Sequence, residues 1–374
     1  MKKVFMFVNI DWFFLSHRLP IAQAAQKNNI DMTVYTEFTR PHNKSLSDGF
    51  NLLNSPMRRR SKSVLHLILE FTKVYKIIRI GKPNLIHAVT IKPILVMGVI
   101  ARLTSTPFIG SISGLGPVFI VDNFLAKLRL LIVLRILRFV FQRKDASVIC
   151  QNYHDRDVLV THGLCPIEKI ILINGSGVDL ENYSPAKKRA NSEKYILMSS
   201  RMLFDKGIKE YCLAAEIVRR HLGDEIIFKL SGPIDSSSPT SISKYELNNL
   251  VNKYGVEYLG NRKDMPELLA SAIMFVLPSY YPEGLPKVLL EAAASGIPII
   301  TTDHPGCRDA IQDRETGILV NVKDYEALAS EIIALLANHS LQKHMCERAR
   351  LFAETSFDDK SVVDDHYSLY SRLL

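Results

Sequence analysis

The chain has 374 residues, 47% hydrophobic and 23% charged, an ordinary balance for a globular protein with real cores and a length that suggests two domains. Its five cysteines (Cys150, Cys165, Cys212, Cys307 and Cys346) are scattered without paired spacing, which excludes a disulfide framework and a cysteine-rich zinc site and points to free or buried thiols in a reducing compartment. The net charge of +9 is uneven: residues 1–190 hold 27 Lys and Arg against 12 Asp and Glu, whereas residues 191–374 hold 20 against 26, so the first half is expected to meet an anionic partner.

In chain order, Met1–Ile10 is too short an apolar run for a secretory leader and is followed by Asp11 without a small-residue cleavage site, so it reads as a first strand, Lys3–Ile10. Further strands are expected at Asp31–Phe38, Asn84–Thr90, Pro107–Ser113, Ala146–Asn152 and Lys169–Asn174, with helical stretches between most of them. Phe124–Lys144 is one such stretch, long, aliphatic and basic. It is too charged to cross a membrane, and no run of 18 uncharged apolar residues exists elsewhere. The polar segment Glu181–Ser192 has no periodicity and marks a domain boundary. Beyond it, strands are expected at Tyr195–Ser200, Glu225–Ser231, Val256–Leu259, Ile273–Pro278, Pro298–Thr302 and Gly317–Val320, and a last helix over residues 360–374. Strands alternating with helices predict α/β domains with parallel sheets. The expected architecture is two facing Rossmann-like domains, residues 1–182 and 193–359, with a cleft between them and the last helix packed back on the first domain.

Ligands of open α/β sheets sit beyond the carboxyl ends of the strands, so the loops that follow strands carry the candidate chemistry. In PSYYPEGLPKVLLEAAASGIPIITT a strand ends at Pro278, Pro286 stands where a first helical position is expected, and Gly296 closes the helix. Free backbone N–H groups there suit phosphate or sugar hydroxyls. Glu283 and Glu291 would accept hydrogen bonds from hydroxyls, although Glu291 also fits a solvated helix face. In SSRMLFDKG, Arg201 and Lys206 lie five apart in a strand-to-helix connection. Two such cations can neutralise a departing diphosphate, each contact being worth roughly 4 kcal/mol at ~4 Å and an effective dielectric near 20. A solvated basic loop would read the same way. Asn174–Asp179 (NGSGVD), Gly260–Asp264 (GNRKD) and Ser111–Gly116 (SISGLG) also follow strands, and each alone fits a plain turn. His87 and His154 follow strands too.

The segments NGSGVD, SRMLFDKG, LGNRKDMPELLASA and PSYYPEGLPKVLLEAAASGIP together resemble the retaining glycosyltransferases of family 4, which have the GT-B fold, over nearly the whole chain. FFLSHRLPIAQAA and SISGLG resemble bacterial members that build O-antigen, capsule or other glycans on undecaprenyl-diphosphate carriers. The resemblance implies an enzyme that moves a hexose or N-acetylhexosamine from a UDP-sugar to a lipid-linked glycan, without a metal or other cofactor. It would work in the cytoplasm, peripherally on the inner face of the membrane. Arg201 and Lys206 then match the residues that bind the donor diphosphate, and Glu291 the carboxylate on the ribose. Glu283, with Gly284, Leu285, Pro286 and Lys287, matches the site of the transferred sugar. Asn261 and Arg262 match the cradle of the base. Ser16, His17, Ser113, Gly114, Gly116, Asn174 and Gly175 fall on the acceptor side. The chain departs from the family in lacking paired glycines at Asn9–Arg18 and in carrying Ser113 in a loop where many members have a histidine; His17 is the candidate substitute.

No GxGxxG follows the first strand and no GxxxxGK[ST] occurs, which disfavours a nicotinamide dehydrogenase and a P-loop NTPase. Asp155–Asp157 (DRD) has the form of a metal-binding motif, but precedes an apolar helical run and reads as a helix N-terminus. A nucleotide-sugar epimerase of the same fold and a non-catalytic binder of lipid-linked glycan are the alternatives. Nucleic acid is not expected, because the basic stretches are interleaved with Leu and Ile and not with stacking aromatics. An anionic membrane surface is expected to meet the Phe124–Lys144 helix through Lys127, Arg135 and Arg138, with Arg58–Lys62 and Lys73–Lys82 adding charge.

Overall fold

A computed structural model describes residues 1–39, 41, 49–59, 63–120, 123–187 and 193–374. The chain divides into two compact units, Met1–Ser176 with Asp359–Leu374, and Gly177–Asp358. The chain thus passes into the second unit before the polar segment Glu181–Ser192, part of which lies outside the described residues.

In the first unit the strands are β1 (Lys2–Val8), β2 (Ile30–Thr36), β3 (Asn51–Asn54), β4 (Leu85–Val89), β5 (Phe108–Ile112), β6 (Ala146–Cys150) and β7 (Ile170–Leu172). Among the described residues they form a parallel sheet in the order β3-β2-β1-β4-β5-β6-β7. This is the doubly wound arrangement, in which right-handed crossovers place helices on both faces. The central strands β4, β5 and β6 are buried along their whole length, which is why they read as near-continuous apolar runs. β3 was not expected: NLLN is short and half polar, and it is largely exposed at the sheet edge. The helices here are α1 (Asp11–His17), α2 (Leu19–Gln23), α3 (Val64–Gly81), α4 (Ile91–Leu103), α5 (Phe124–Phe141) and α6 (Tyr153–Thr161). Asn152 caps α6 by accepting the Asp155 backbone N–H at 2.7 Å, so the DRD run is a helix start.

The second unit repeats the plan. β8 (Tyr195–Ser199), β9 (Ile227–Ser231), β10 (Glu257–Tyr258), β11 (Met274–Leu277), β12 (Ile299–Thr302) and β13 (Gly317–Val320) form a parallel sheet in the order β10-β9-β8-β11-β12-β13. Its helices are α7 (Ile208–Leu222), α8 (Lys244–Tyr254), α9 (Met265–Ser271), α10 (Lys287–Ala294), α11 (Tyr325–Ala337) and α12 (His339–Ser356). The chain then returns to the first unit as α13 (Asp359–Leu373). Its Tyr367 hydroxyl donates to the Ile21 carbonyl of α2 at 2.6 Å, and its Tyr370 hydroxyl meets His87 Nδ1 of β4 at 2.7 Å. No helix among the described residues is long and apolar enough to cross a membrane.

Candidate active site

At the carboxyl edge of the second sheet, β8 runs into the loop that carries Arg201 and Lys206, and Gly207 opens α7. Gly207 has φ +78°, and a Cβ there would overlap the carbonyl oxygen of Pro278 at the end of β11. Glycine therefore lets the β8 loop press against the β11 loop. The consequence is chemical: Lys206 Nζ forms an ion pair with Glu283 Oε1, although the two are 77 residues apart. Arg201 Nη1 donates to Asp235 Oδ2 at 2.8 Å, and both cations lie over the ring of Tyr281, at 5.4 and 5.1 Å from its centroid. Lys206 has a side chain only 7% exposed. These cations do not sit on a solvated loop. Each is held by one carboxylate, in a place where burial strengthens its field.

Glu291 is one helical face further along α10, and its side chain is 14% exposed. It is not a solvated helix residue. Burial raises its pKa, while Lys287 Nζ at 4.0 Å and a hydrogen bond from Tyr183 pull the other way. Tyr183 is placed by Arg350 of α12, whose Nη1 donates to the carbonyls of Tyr183 and of Ala294, both at 2.7 Å. The same arginine thereby satisfies a carbonyl at the C-terminal end of α10. Two details at α10 differ from expectation. Pro286 is the N-cap, with ψ 113°, and not the first helical residue; and Ser295 is the C-cap, with Gly296 following it in the left-handed region at φ +64°. A residue before the helix needs an extended ψ, which proline adopts as readily as the helical one.

Lys206, on the loop after β8 with Arg201, thus meets Glu283 on the loop after β11, which Gly284, Leu285 and Pro286 continue into α10 with Lys287 and Glu291. Asn261 and Arg262 sit after β10 on an exposed turn. Arg262 is engaged by Asp264 through two hydrogen bonds of 2.8 and 2.5 Å, and the Gly260 carbonyl already accepts from the Gly232 N–H at 2.8 Å. Sequence reasoning missed Asp235, Tyr281 and Tyr183. Asp235 was findable, since it lies just beyond β9 by the same strand-end rule; Tyr183 carried no signal, because only the packing of α12 brings it to Glu291.

In the first unit, Ser16 and His17 end α1, Ser113, Gly114 and Gly116 follow β5, and Asn174 and Gly175 follow β7, all at the carboxyl edge of that sheet. Arg18 links the first two groups: Nη1 donates to the His17 carbonyl at 2.9 Å and Nη2 to Ser113 Oγ at 3.3 Å. It is fully buried, and burial lowers its pKa to about 10. The His17 ring stacks on Phe13 at 4.2 Å. His87 lies within β4, fully buried between Tyr370 and Ser111 Oγ (2.6 Å), so it packs and does not line a site. His154 is exposed on the first turn of α6. Thr90, the residue before α4, has φ +74°, a costly conformation for a β-branched side chain and one that no sequence pattern announces.

On α5, Lys127, Arg135 and Arg138 are exposed as expected, among exposed Leu125, Leu128, Leu131 and Ile132. Arg138 has another employment, however: it donates to the carbonyls of His162 and Gly163 at 2.7 and 3.1 Å, closing the end of α6. Helix-wheel reasoning places a residue on a face but cannot see the neighbouring helix that meets it there.

Two family descriptions match the chain in tandem: "Glycosyl transferase 4-like" over residues 3–152 and "Glycosyl transferases group 1" over residues 179–352. The chain is 25% identical over 382 aligned positions to the N,N'-diacetylbacillosaminyl-diphospho-undecaprenol alpha-1,3-N-acetylgalactosaminyltransferase of Campylobacter jejuni, covering 96% of this chain and 98% of that protein. It is 23% identical to the UDP-Gal:alpha-D-GlcNAc-diphosphoundecaprenol alpha-1,3-galactosyltransferase of Escherichia coli, over 81% of this chain and 79% of the other. Among solved structures, Anabaena Alr3699/HepE in complex with UDP and glucose superposes with a TM-score of 0.78 at 16% identity, over the full length of both chains. WaaG, a glycosyltransferase involved in lipopolysaccharide biosynthesis, superposes with a TM-score of 0.77 at 18% identity, over 98% of this chain and 99% of that one. At such identities the superpositions speak for the fold.

Proposed function

Because the chain belongs to the glycosyltransferases, we propose that it moves a hexose or N-acetylhexosamine, with retention at the anomeric carbon, from a UDP-sugar to a glycan on a polyprenyl-diphosphate carrier. The observation that carries this reading is the joining of Arg201, Lys206 and Glu283 at the carboxyl edge of the second sheet. In the transfer, the bond from the anomeric carbon to the diphosphate oxygen breaks and a bond to an acceptor hydroxyl oxygen forms. The acceptor hydroxyl proton passes to the departing diphosphate and from it to solvent, so UDP leaves with one more negative charge than it had in the donor. Fixed cations stabilise that charge most where it develops, so Arg201 and Lys206 are assigned the diphosphate. Glu283 and the backbone of residues 284–287 are assigned the transferred sugar, Glu291 the ribose, and Asn261 and Arg262 the base. Asp235 holds Arg201 before the donor arrives.

No metal is assigned a part, since the cation pair supplies the charge a divalent ion would. The acceptor is assigned to the first unit, where Ser16, His17, Ser113, Gly114, Gly116, Asn174 and Gly175 share one sheet edge. The exposed aliphatic and basic face of α5 supports peripheral attachment to an anionic inner membrane surface. The C. jejuni and E. coli relatives act, by their names, on diphospho-undecaprenol glycans, which supports the acceptor class. Mass spectrometry of products from a panel of nucleotide sugars and short lipid-diphosphate glycans tests the reading. The expected product is the acceptor lengthened by one sugar with the donor's anomeric configuration; an altered nucleotide sugar formed without acceptor would make the enzyme an epimerase instead.

A further inference from the structure

A groove of about 400 Å³ opens on the first unit between α3, α4 and α5. Its walls are hydrocarbon: Leu67, Ile68 and Phe71 come from α3, Leu95, Val96 and Val99 from α4, and Ile136 from α5 closes it. The volume falls in the lower part of the range for small-molecule sites, roughly 300–1,000 Å³. One small residue sets how closely two of the three helices approach. Gly98 lets α4 settle against α5, because a Cβ there would overlap the Val140 side chain. α3 meets α4 over a much shorter stretch and stands away from it, with Ile68 55% exposed.

We propose that this groove holds part of the isoprenoid chain of a polyprenyl diphosphate, so that the enzyme grips its acceptor by the lipid as well as by the glycan. The proposal rests on the acceptor class inferred above. Charge selects the occupant. α3 presents exposed Lys73, Lys76 and Arg79, and α5 presents exposed Lys127, Arg129 and Arg135. The only acid in the two helices, Glu70, is buried and paired at 3.1 Å with Lys92, which among the described residues is the one cationic residue lining the groove. Such surroundings favour an apolar chain with a strongly anionic head, and a diphosphate carries more negative charge than the phosphodiester of an ordinary phospholipid. The exposed Leu65, Leu69, Leu128 and Ile132 continue the apolar surface beyond the groove.

The test uses a three-isoprene diphosphate with a benzophenone at its tail, irradiated with the full-length protein in the absence of any donor and mapped by mass spectrometry. Labelling is expected within residues 67–71, 92–99 and 136. Val96→Trp, which fills the groove, should reduce labelling at least tenfold while UDP binding is unchanged; Ile68→Asp, at an exposed position that tolerates charge, should do the same should the tryptophan variant fold poorly. A phospholipid present at equal concentration should not compete. Labelling elsewhere, labelling that survives both variants, or equal competition by the phospholipid would overturn the proposal. Since no sugar transfer is measured, failure of the enzyme to glycosylate lipid-diphosphate glycans registers separately, in the product assay.

Discussion

Lys206 and Arg201 each hold a carboxylate, which under the proposed function the donor's diphosphate shares or displaces. Their effect should therefore appear in the chemical step, where the leaving group gains charge, more than in binding. Arg201→Ala or Lys206→Ala is expected to lower kcat by roughly 10²–10³, the cost of removing one preorganised charge-stabilising group. Chelation by EDTA should leave the wild type unaffected; activity that vanished on chelation and returned with manganese would show that the pair does not suffice. The two carboxylates should separate kinetically. Glu291→Gln is expected to raise the donor KM with little change in kcat, because a ribose contact is alike in ground and transition states. Glu283→Gln should lower kcat, and a change of donor KM in the Glu283 variant alone would reverse the two assignments. Much of this site was legible, because strand-end loops are where an open α/β sheet places ligands. Tyr183 and the real employment of Arg138 were not, because both depend on contacts between elements distant in sequence.

Helix α5 shows how far periodicity reaches. Ala126, Val133, Leu137, Val140 and Phe141 are buried on one side, and the rest of the helix shows large aliphatic side chains together with its cations. Leu125 is 74% and Ile132 49% exposed, apolar surface that a membrane contact would cover. The protein is expected to co-float with vesicles containing anionic lipid, and less so at high salt, which screens exposed charges. Reversing Lys127 and Arg135 to Glu should abolish flotation but spare activity on a short water-soluble acceptor. Arg138 is left out of that variant because its loss would also uncap α6; flotation of the double variant at low salt would show that α5 is not the contact. Helix α13 carries a different expectation. His366 is fully buried beside His87, Arg18 and Tyr370, and burial, with Arg18 adding to it, lowers its pKa to about 3. The unfolded chain would take up that proton near pH 6.5, so the folded state is favoured above that pH and loses stability as pH falls from about 6.5 toward 3. Between pH 7.5 and 5 this one histidine should cost about 2 kcal/mol of unfolding free energy, and His87 adds in the same direction. Denaturant titrations at the two pH values check this, and His366→Gln should flatten the slope.

Across the whole molecule, the chain leaves the first unit at Ser176 and comes back to it at Asp359. The returning helix supplies Val362, Tyr367, Leu369 and Tyr370 to the core beneath β1, β2 and β4. Removing residues 359–374 would expose that surface and leave His87 without its tyrosine partner. Limited proteolysis of the truncated protein should degrade the first unit and spare a fragment close to 177–358, whose own core is continuous. Equal protection of both units would show that α13 is dispensable. The charge asymmetry follows the same division, the basic half lying almost wholly in the unit assigned to the anionic acceptor.

Alternation of short apolar runs with helical periods determined the two parallel sheets, and glycines and cations after the strands marked the loops to which the proposed donor chemistry is assigned. These are local properties, fixed by backbone geometry and by which side chains water rejects. The sequence also announced a final helix, because its apolar positions recur at helical spacing. Only the tertiary structure decided that the chain crosses between units at Ser176, that Asp235 and Glu283 are the partners of the two cations, and that Arg350 sets Tyr183 against Glu291. It likewise decided that α3 stands away from α4 and leaves a groove. Each of these depends on close packing between segments tens to hundreds of residues apart, where a glycine or an arginine acts through a neighbour that its own stretch of sequence does not contain.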